Sequence, residues 1–106
     1  MTYLTDSTPA APISENERDD HYRGLLLRLN ARWRIICAAT DDQWIIQRYG
    51  GRRDGRPRWE SLSFAATRSG LILAACERAG MVGPPQRAVL EALPEHYREF
   101  RALRIA

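Results

Sequence analysis

Five arginines fall within the stretch QRYGGRRDGRPRW: Arg48, Arg52, Arg53, Arg56 and Arg58. A guanidinium is a permanent cation whose planar fork matches phosphate oxygens and the acceptor edge of guanine. Tyr49 and Trp59 sit inside the same cluster and add aromatic faces. Cations interleaved with rings suit a nucleic-acid contact or an acidic protein surface better than bond-making chemistry. A solvated loop in an arginine-biased proteome is the third reading. All 16 basic residues are arginine, and the 14 alanines fit the same codon bias. That bias accounts for the missing lysine but not for the clustering.

Other chemistry-bearing residues are scattered. His21 and His96 stand in separate polar contexts without a carboxylate or cysteine at ligand spacing. No H-E-x-x-H, C-x-x-C, G-x-S-x-G or P-loop occurs. Gly50-Gly51 is followed by arginines but not by the Lys-Ser/Thr of a phosphate loop, and Asp41-Asp42 reads as a turn. Cys37 and Cys76 lie in apolar runs and read as small core residues. The expectation is a non-enzymatic protein without metal or cofactor.

With 106 residues, 44% of them hydrophobic and 27% charged, the chain has room for one core. No apolar run approaches a membrane span, and no signal-peptide order opens the chain, so a cytoplasmic protein is expected. The net charge of +3 is unevenly spread. Residues 1–20 carry five acids against Arg18, whereas residues 21–68 carry ten arginines against four acids.

The elements that must position the arginines can be read in order. Residues 1–13 contain two prolines and no periodicity, as in a mobile tail, leaving 14–106 as a single domain with a core unit at 32–80. Ser14 and Glu17 have capping-box spacing, and Tyr22, Leu25, Leu26 and Leu29 form an apolar stripe, so a helix is expected over 15–29. Alternation gives a first strand over 32–39. Pairing Ala39 with Trp44, Cys37 with Ile46 and Ile35 with Arg48 puts Trp33, Ile35, Cys37, Ala39, Trp44 and Ile46 on a core face. Arg32, Arg34, Ile36, Ile45, Gln47 and Tyr49 take the opposite, open face. Gly50–Pro57 (GGRRDGRP) reads as a long, flexible wing. A third strand over 58–64 turns Leu62 and Phe64 inward and Trp59, Ser61 and Ser63 outward. Thr67 caps a helix over 68–79 with a buried stripe of Leu71, Ile72, Ala75, Cys76 and Ala79, ended by Gly80. A helix over 85–93 and a last one after Pro94 complete the chain. The fold class is therefore α+β: an N-terminal helix, a three-stranded antiparallel sheet with a helix packed on one face, then one or two short C-terminal helices.

This layout, with Phe64 leading through Thr67 into the Leu71–Ala79 stripe, resembles the AP2-type domain and the arm-type N-terminal domain of tyrosine recombinases. The resemblance covers about residues 32–80 and is one of pattern. It implies a DNA-binding sheet face. Matched by position, that role falls on Arg32, Arg34, Tyr49 and Trp59, with Arg48, Arg52, Arg53, Arg56 and Arg58 from the wing and its flanks. The chain also looks like the small accessory proteins of prophages and mobile elements. Two functions follow as expectations. One is an accessory protein that docks on duplex DNA. The other is a protein-binding inhibitor or adaptor, anti-CRISPR-like, directed at an acidic protein surface. A homodimer is open under either reading.

Overall fold

The computed structural model describes residues 12–105, so most of the expected tail at 1–13 lies outside the described residues. Four strands, β1 (Leu25–Arg28), β2 (Trp33–Cys37), β3 (Trp44–Arg53) and β4 (Arg56–Ala65), are followed by α1 (Arg68–Ala79), α2 (Pro84–Glu91) and α3 (Tyr97–Ile105). The strands form one antiparallel sheet in the order β1-β2-β3-β4, a meander in which each strand neighbours the next. The α+β class and the antiparallel sheet are as expected; the strand count and the N-terminal element are not.

No helix forms over 15–29. Ser14 to Gly24 is an irregular strap, and Leu25–Arg28 joins the sheet edge as β1. Leu25 pairs with Ile36 and Leu27 with Ile35, so a bulge at Leu26 shifts the register. The bulge lets neighbouring leucines reach the core from a strand as the helical stripe would have from a helix. Leu29 is buried and Leu26 and Leu27 half-buried against the core. Ser14 and Glu17 do not cap each other: Ser14 Oγ donates to Asp19 Oδ2 at 2.6 Å, and Glu17 Oε2 accepts from the Ala39 amide at 2.6 Å.

Alternation in β2 and β3 sorts the faces as expected, although the pairing is displaced by two residues. Trp44 lies opposite Cys37, Ile46 opposite Ile35 and Arg48 opposite Trp33. A shift of two preserves which side each residue takes. The inner face buries Ile35, Cys37, Trp44 and Ile46 against Leu71 and Ala75 of α1, Leu90 of α2, Leu93, and Tyr97 of α3. Thr67 Oγ1 accepts from the Gly70 amide at 3.1 Å, and Gly80 ends α1 at φ 81°. Three inward assignments do not hold. Ala39 lies beyond the end of β2 and is exposed, and Cys76 in α1 is exposed. Phe64 is 56% exposed because Leu62 bulges between the Ser63–Ile46 and Ser61–Gln47 pairs and shifts the parity of the strand.

A second, polar packing layer lies on the opposite face. Residues 14–23 close a loop, with the Ser14 amide donating to His21 O at 3.0 Å and the Arg23 amide to Ser14 O at 2.9 Å. Closed ends are the mark of a compact Ω-type loop. It crosses the sheet from β4, where the Trp59 amide donates to Arg18 O at 2.9 Å, towards β2, where Tyr22 Oη donates to Cys37 O at 2.7 Å.

Burial pushes the hydroxyls of both Tyr22 and Tyr97 up to about 12. A phenol whose folded pKa lies above its unfolded value of 10.0 stabilises the fold below that value and loses the contribution as pH rises to about 12. Alkali is therefore expected to unfold the protein progressively over that window, read by circular dichroism against pH. Tyr22→Phe removes one titrating group and should move the transition upward, at a cost near neutral pH of about 1 kcal/mol for the lost hydrogen bond.

Candidate nucleic-acid interface

The arginine cluster is built on a paired two-stranded ribbon rather than a long loop. β3 and β4 continue past Tyr49–Trp59 to the pairs Arg52–Pro57 and Arg53–Arg56. A two-residue turn closes them, with Asp54 at φ 53° and Gly55 at φ 77°. Left-handed conformations at both central residues define a type I′ turn, whose twist matches paired strands and which Asp-Gly favours. A third left-handed residue, Gly51 at φ 91°, sits in the register shift between Tyr49 and Arg52, the conformation a bulge there requires.

Of the nine residues expected to form a contact surface, the structure brings Arg52, Arg53 and Arg56 together, exposed, at the ribbon tip. Arg32 and Arg48 are exposed at its root, where the Tyr49 amide donates to Arg32 O at 2.7 Å and Arg48 pairs with Glu60 at 3.0 Å. Arg58 is half-buried and held by Asp19 at 2.8 Å. Tyr49 is half-buried, edge-on to Trp59 at 5.5 Å between ring centroids.

Arg34 and Trp59, expected on an open face, are buried at 0% and 2% exposure. The strap covers them. Arg34 Nη1 donates to Asp20 O, Nη2 to both Glu17 O and Asp19 O, and Nε to Gln47 Oε1 at 2.7 Å. Its guanidinium lies over the Trp59 ring, 4.4 Å from the centroid. Gln47 Nε2 reaches the same Glu17 carbonyl at 2.9 Å. Burial pushes the Arg34 guanidinium down to about 10, which still leaves it a cation near neutral pH. Trp59 Nε1 donates to Asp20 Oδ1 at 3.0 Å. Burial acts to raise the Asp20 carboxyl, but this bond and the Arg28 charge outweigh it and hold the group below its ordinary range. One signal of the cover was present in the sequence. Ile36 and Ile45 are cross-strand partners on the supposedly open face, and an apolar pair there needs something over it; the structure supplies Tyr22.

The strap also sorts the charges. Among the described residues, half of the 16 arginines have a carboxylate within ion-pair distance: Arg23, Arg28, Arg48, Arg58, Arg68, Arg87, Arg98 and Arg101. Three of the strap's acids, Glu15, Asp19 and Asp20, are thereby neutralised by Arg23, Arg58 and Arg28. Arg52, Arg53 and Arg56 have no such partner among the described residues, so the unbalanced charge gathers at the tip. Arg18, exposed in the strap, is tied at its backbone to the ribbon root, where its carbonyl accepts from the Trp59 amide. No spacing or period in the chain hints at that placement, which depends on the strap folding back over β4.

Little else offers chemistry. A cleft of about 600 Å³ between strap and ribbon is lined by Ile13, Asp19, Asp20, His21, Arg56 and Pro57 among others, with both aspartates engaged elsewhere. Burial pushes the Cys37 thiol up, away from the reactive thiolate, although Arg104 Nη1 lies 3.2 Å from its sulfur. Among the described residues no group of three His, Cys, Asp or Glu side chains could hold a metal ion, and no helix is long and apolar enough to cross a membrane. Comparison with protein-family models, curated proteins and solved structures finds no match for this chain.

Proposed function

We propose that this protein is a small non-enzymatic accessory protein that binds duplex DNA through the β3–β4 ribbon. The observation that carries the reading is the exposed, unpaired trio Arg52, Arg53 and Arg56 on a paired hairpin, in a protein where eight of the other thirteen arginines have a carboxylate partner among the described residues. Exposed guanidiniums that no carboxylate pairs with, the nearby strap acids Asp19 and Asp20 being engaged by Arg58 and Arg28, are available to phosphates. Arg32 and Arg18 at the root extend the basic surface. The sheet face does not take part while the strap is closed, so base reading by Arg34 and Trp59 drops out of the mechanism. A two-stranded ribbon fits the major groove, about 12 Å wide, and not the minor groove at about 6 Å.

The test is a mobility shift with a generic duplex at low and moderate salt. A salt-sensitive shift at micromolar protein is expected, and replacing Arg52, Arg53 and Arg56 together with glutamine should abolish it. The melting temperature should stay within about a degree or two of the parent, because exposed charges at a loop tip contribute little to folding. No shift by the parent at low salt would sink the DNA reading. The second reading, docking on an acidic protein, would then take over, and it draws on Phe64, Leu73 and Met81, which are 56%, 61% and 95% exposed.

A further inference from the structure

We infer that Arg53 and Arg56 work as one unit that brackets a single backbone phosphate, while Arg52 meets a second phosphate from the other face of the ribbon. The inference rests on the DNA-binding reading and specifies its stoichiometry. Arg53 and Arg56 are direct cross-strand partners either side of a two-residue turn. Directly opposed residues share a face with their Cβ atoms about 4.5–5.5 Å apart. Two cations so placed repel unless an anion lies between them, and no carboxylate pairs with either among the described residues; Asp54 in the turn between them forms no ion pair. Two guanidinium forks converging on one phosphodiester satisfy both of its charged oxygens. Arg52 lies opposite Pro57, on the other face, so it stands alone there. The tip therefore counts two phosphates, not one for each of its three free arginines.

The logarithmic salt slope counts neutralised phosphates, at about 0.9 each on duplex DNA, which makes the inference measurable. A duplex of about 20 base pairs is titrated between roughly 50 and 200 mM salt with the parent and with Arg52→Gln, Arg53→Gln, Arg56→Gln and the Arg53/Arg56 double variant. Glutamine keeps a polar stem, and thermal melts establish that each variant folds as the parent does. The single Arg53 and Arg56 variants should bind more weakly with nearly the parent slope, because the surviving arginine still neutralises the shared phosphate. The double variant and Arg52→Gln should each flatten the slope by about 0.9. Losses of about 0.9 for each of Arg53 and Arg56, adding to about 1.8 in the double variant, would overturn the shared-phosphate arrangement while leaving DNA binding intact. Absence of any shift by the parent overturns the DNA reading itself, and the clamp with it.

Discussion

Trp44→Ala is expected to destabilise the protein by about 3–5 kcal/mol, the range for truncating a large buried aromatic. Trp44 is 0% exposed and sits where β3 meets α3, edge-on to Tyr97 at 5.1 Å and tilted against Phe100 at 5.7 Å between centroids. Removing the indole empties the space that fastens the last helix to the sheet. Because a domain of this size has a total stability of about 5–15 kcal/mol, the loss is a large share of it. Among the described residues the buried indole Nε1 has no hydrogen-bond partner. Trp44→Phe therefore keeps much of the ring surface and sheds an orphan donor, and it should cost far less than alanine. Urea unfolding of the two variants separates these effects. Similar losses for both would mean that the exact ring, and not the buried area, secures α3.

Arg34→Met has the second large effect, about 3–5 kcal/mol of destabilisation. The side-chain volume is roughly kept, but the carbonyls of Glu17, Asp19 and Asp20 and the Gln47 Oε1 all lose a donor. Removing one member of a buried polar set costs more than the set contributes: Glu17 O keeps Gln47 Nε2 and Asp19 O keeps the Tyr22 amide, but Asp20 O and Gln47 Oε1 are left desolvated without a donor. Arg34→Lys should recover only part of the loss: an ammonium cannot reach several carbonyls at once or stack flat on Trp59. The strap amides of Asp19, Tyr22 and Arg23 should exchange with solvent much faster in Arg34→Met, as read by hydrogen exchange. If exchange there is unchanged and the urea midpoint moves little, Arg34 is not what holds the strap closed.

These two residues lie on opposite faces of one sheet, and they differ in how far the sequence exposed their roles. Trp44 belongs to an alternation, Trp33, Ile35, Cys37 facing Trp44, Ile46, that assigns its side whether the loop between the strands is two or six residues long. A register error of two leaves that assignment untouched. Arg34 occupies the complementary positions, and polarity there reads as solvent contact. Its burial depends on a segment some fifteen residues upstream whose local signals, the Ser14/Glu17 spacing and the Tyr22–Leu29 stripe, point to a helix. The same leucines satisfy a bulged edge strand, and the carbonyls that a helix would keep for itself are taken by Arg34 and Gln47.

The ribbon divides in the same way. Asp54-Gly55 is a two-residue hairpin signal in its own right, yet the flanking glycines and arginines disguised the strands as loop; pairing through Arg53–Arg56 became visible only with β3 and β4 in place. That pairing sets which side of the ribbon each exposed arginine of the trio takes.

By itself the sequence determined what short-range physics decides: the α+β class with an antiparallel sheet, the face of each residue in β2 and in β3 up to Tyr49, the Thr67-to-Gly80 limits of α1, and a concentration of arginine around one turn. Only the tertiary structure decided which arginines are free. That outcome follows from long-range pairing, Asp19 with Arg58, Asp20 with Arg28 and Trp59, three strap carbonyls with Arg34. Such pairs join residues far apart in the chain and leave no period or spacing behind, because a charge in a sequence carries no mark of the partner that will bury it.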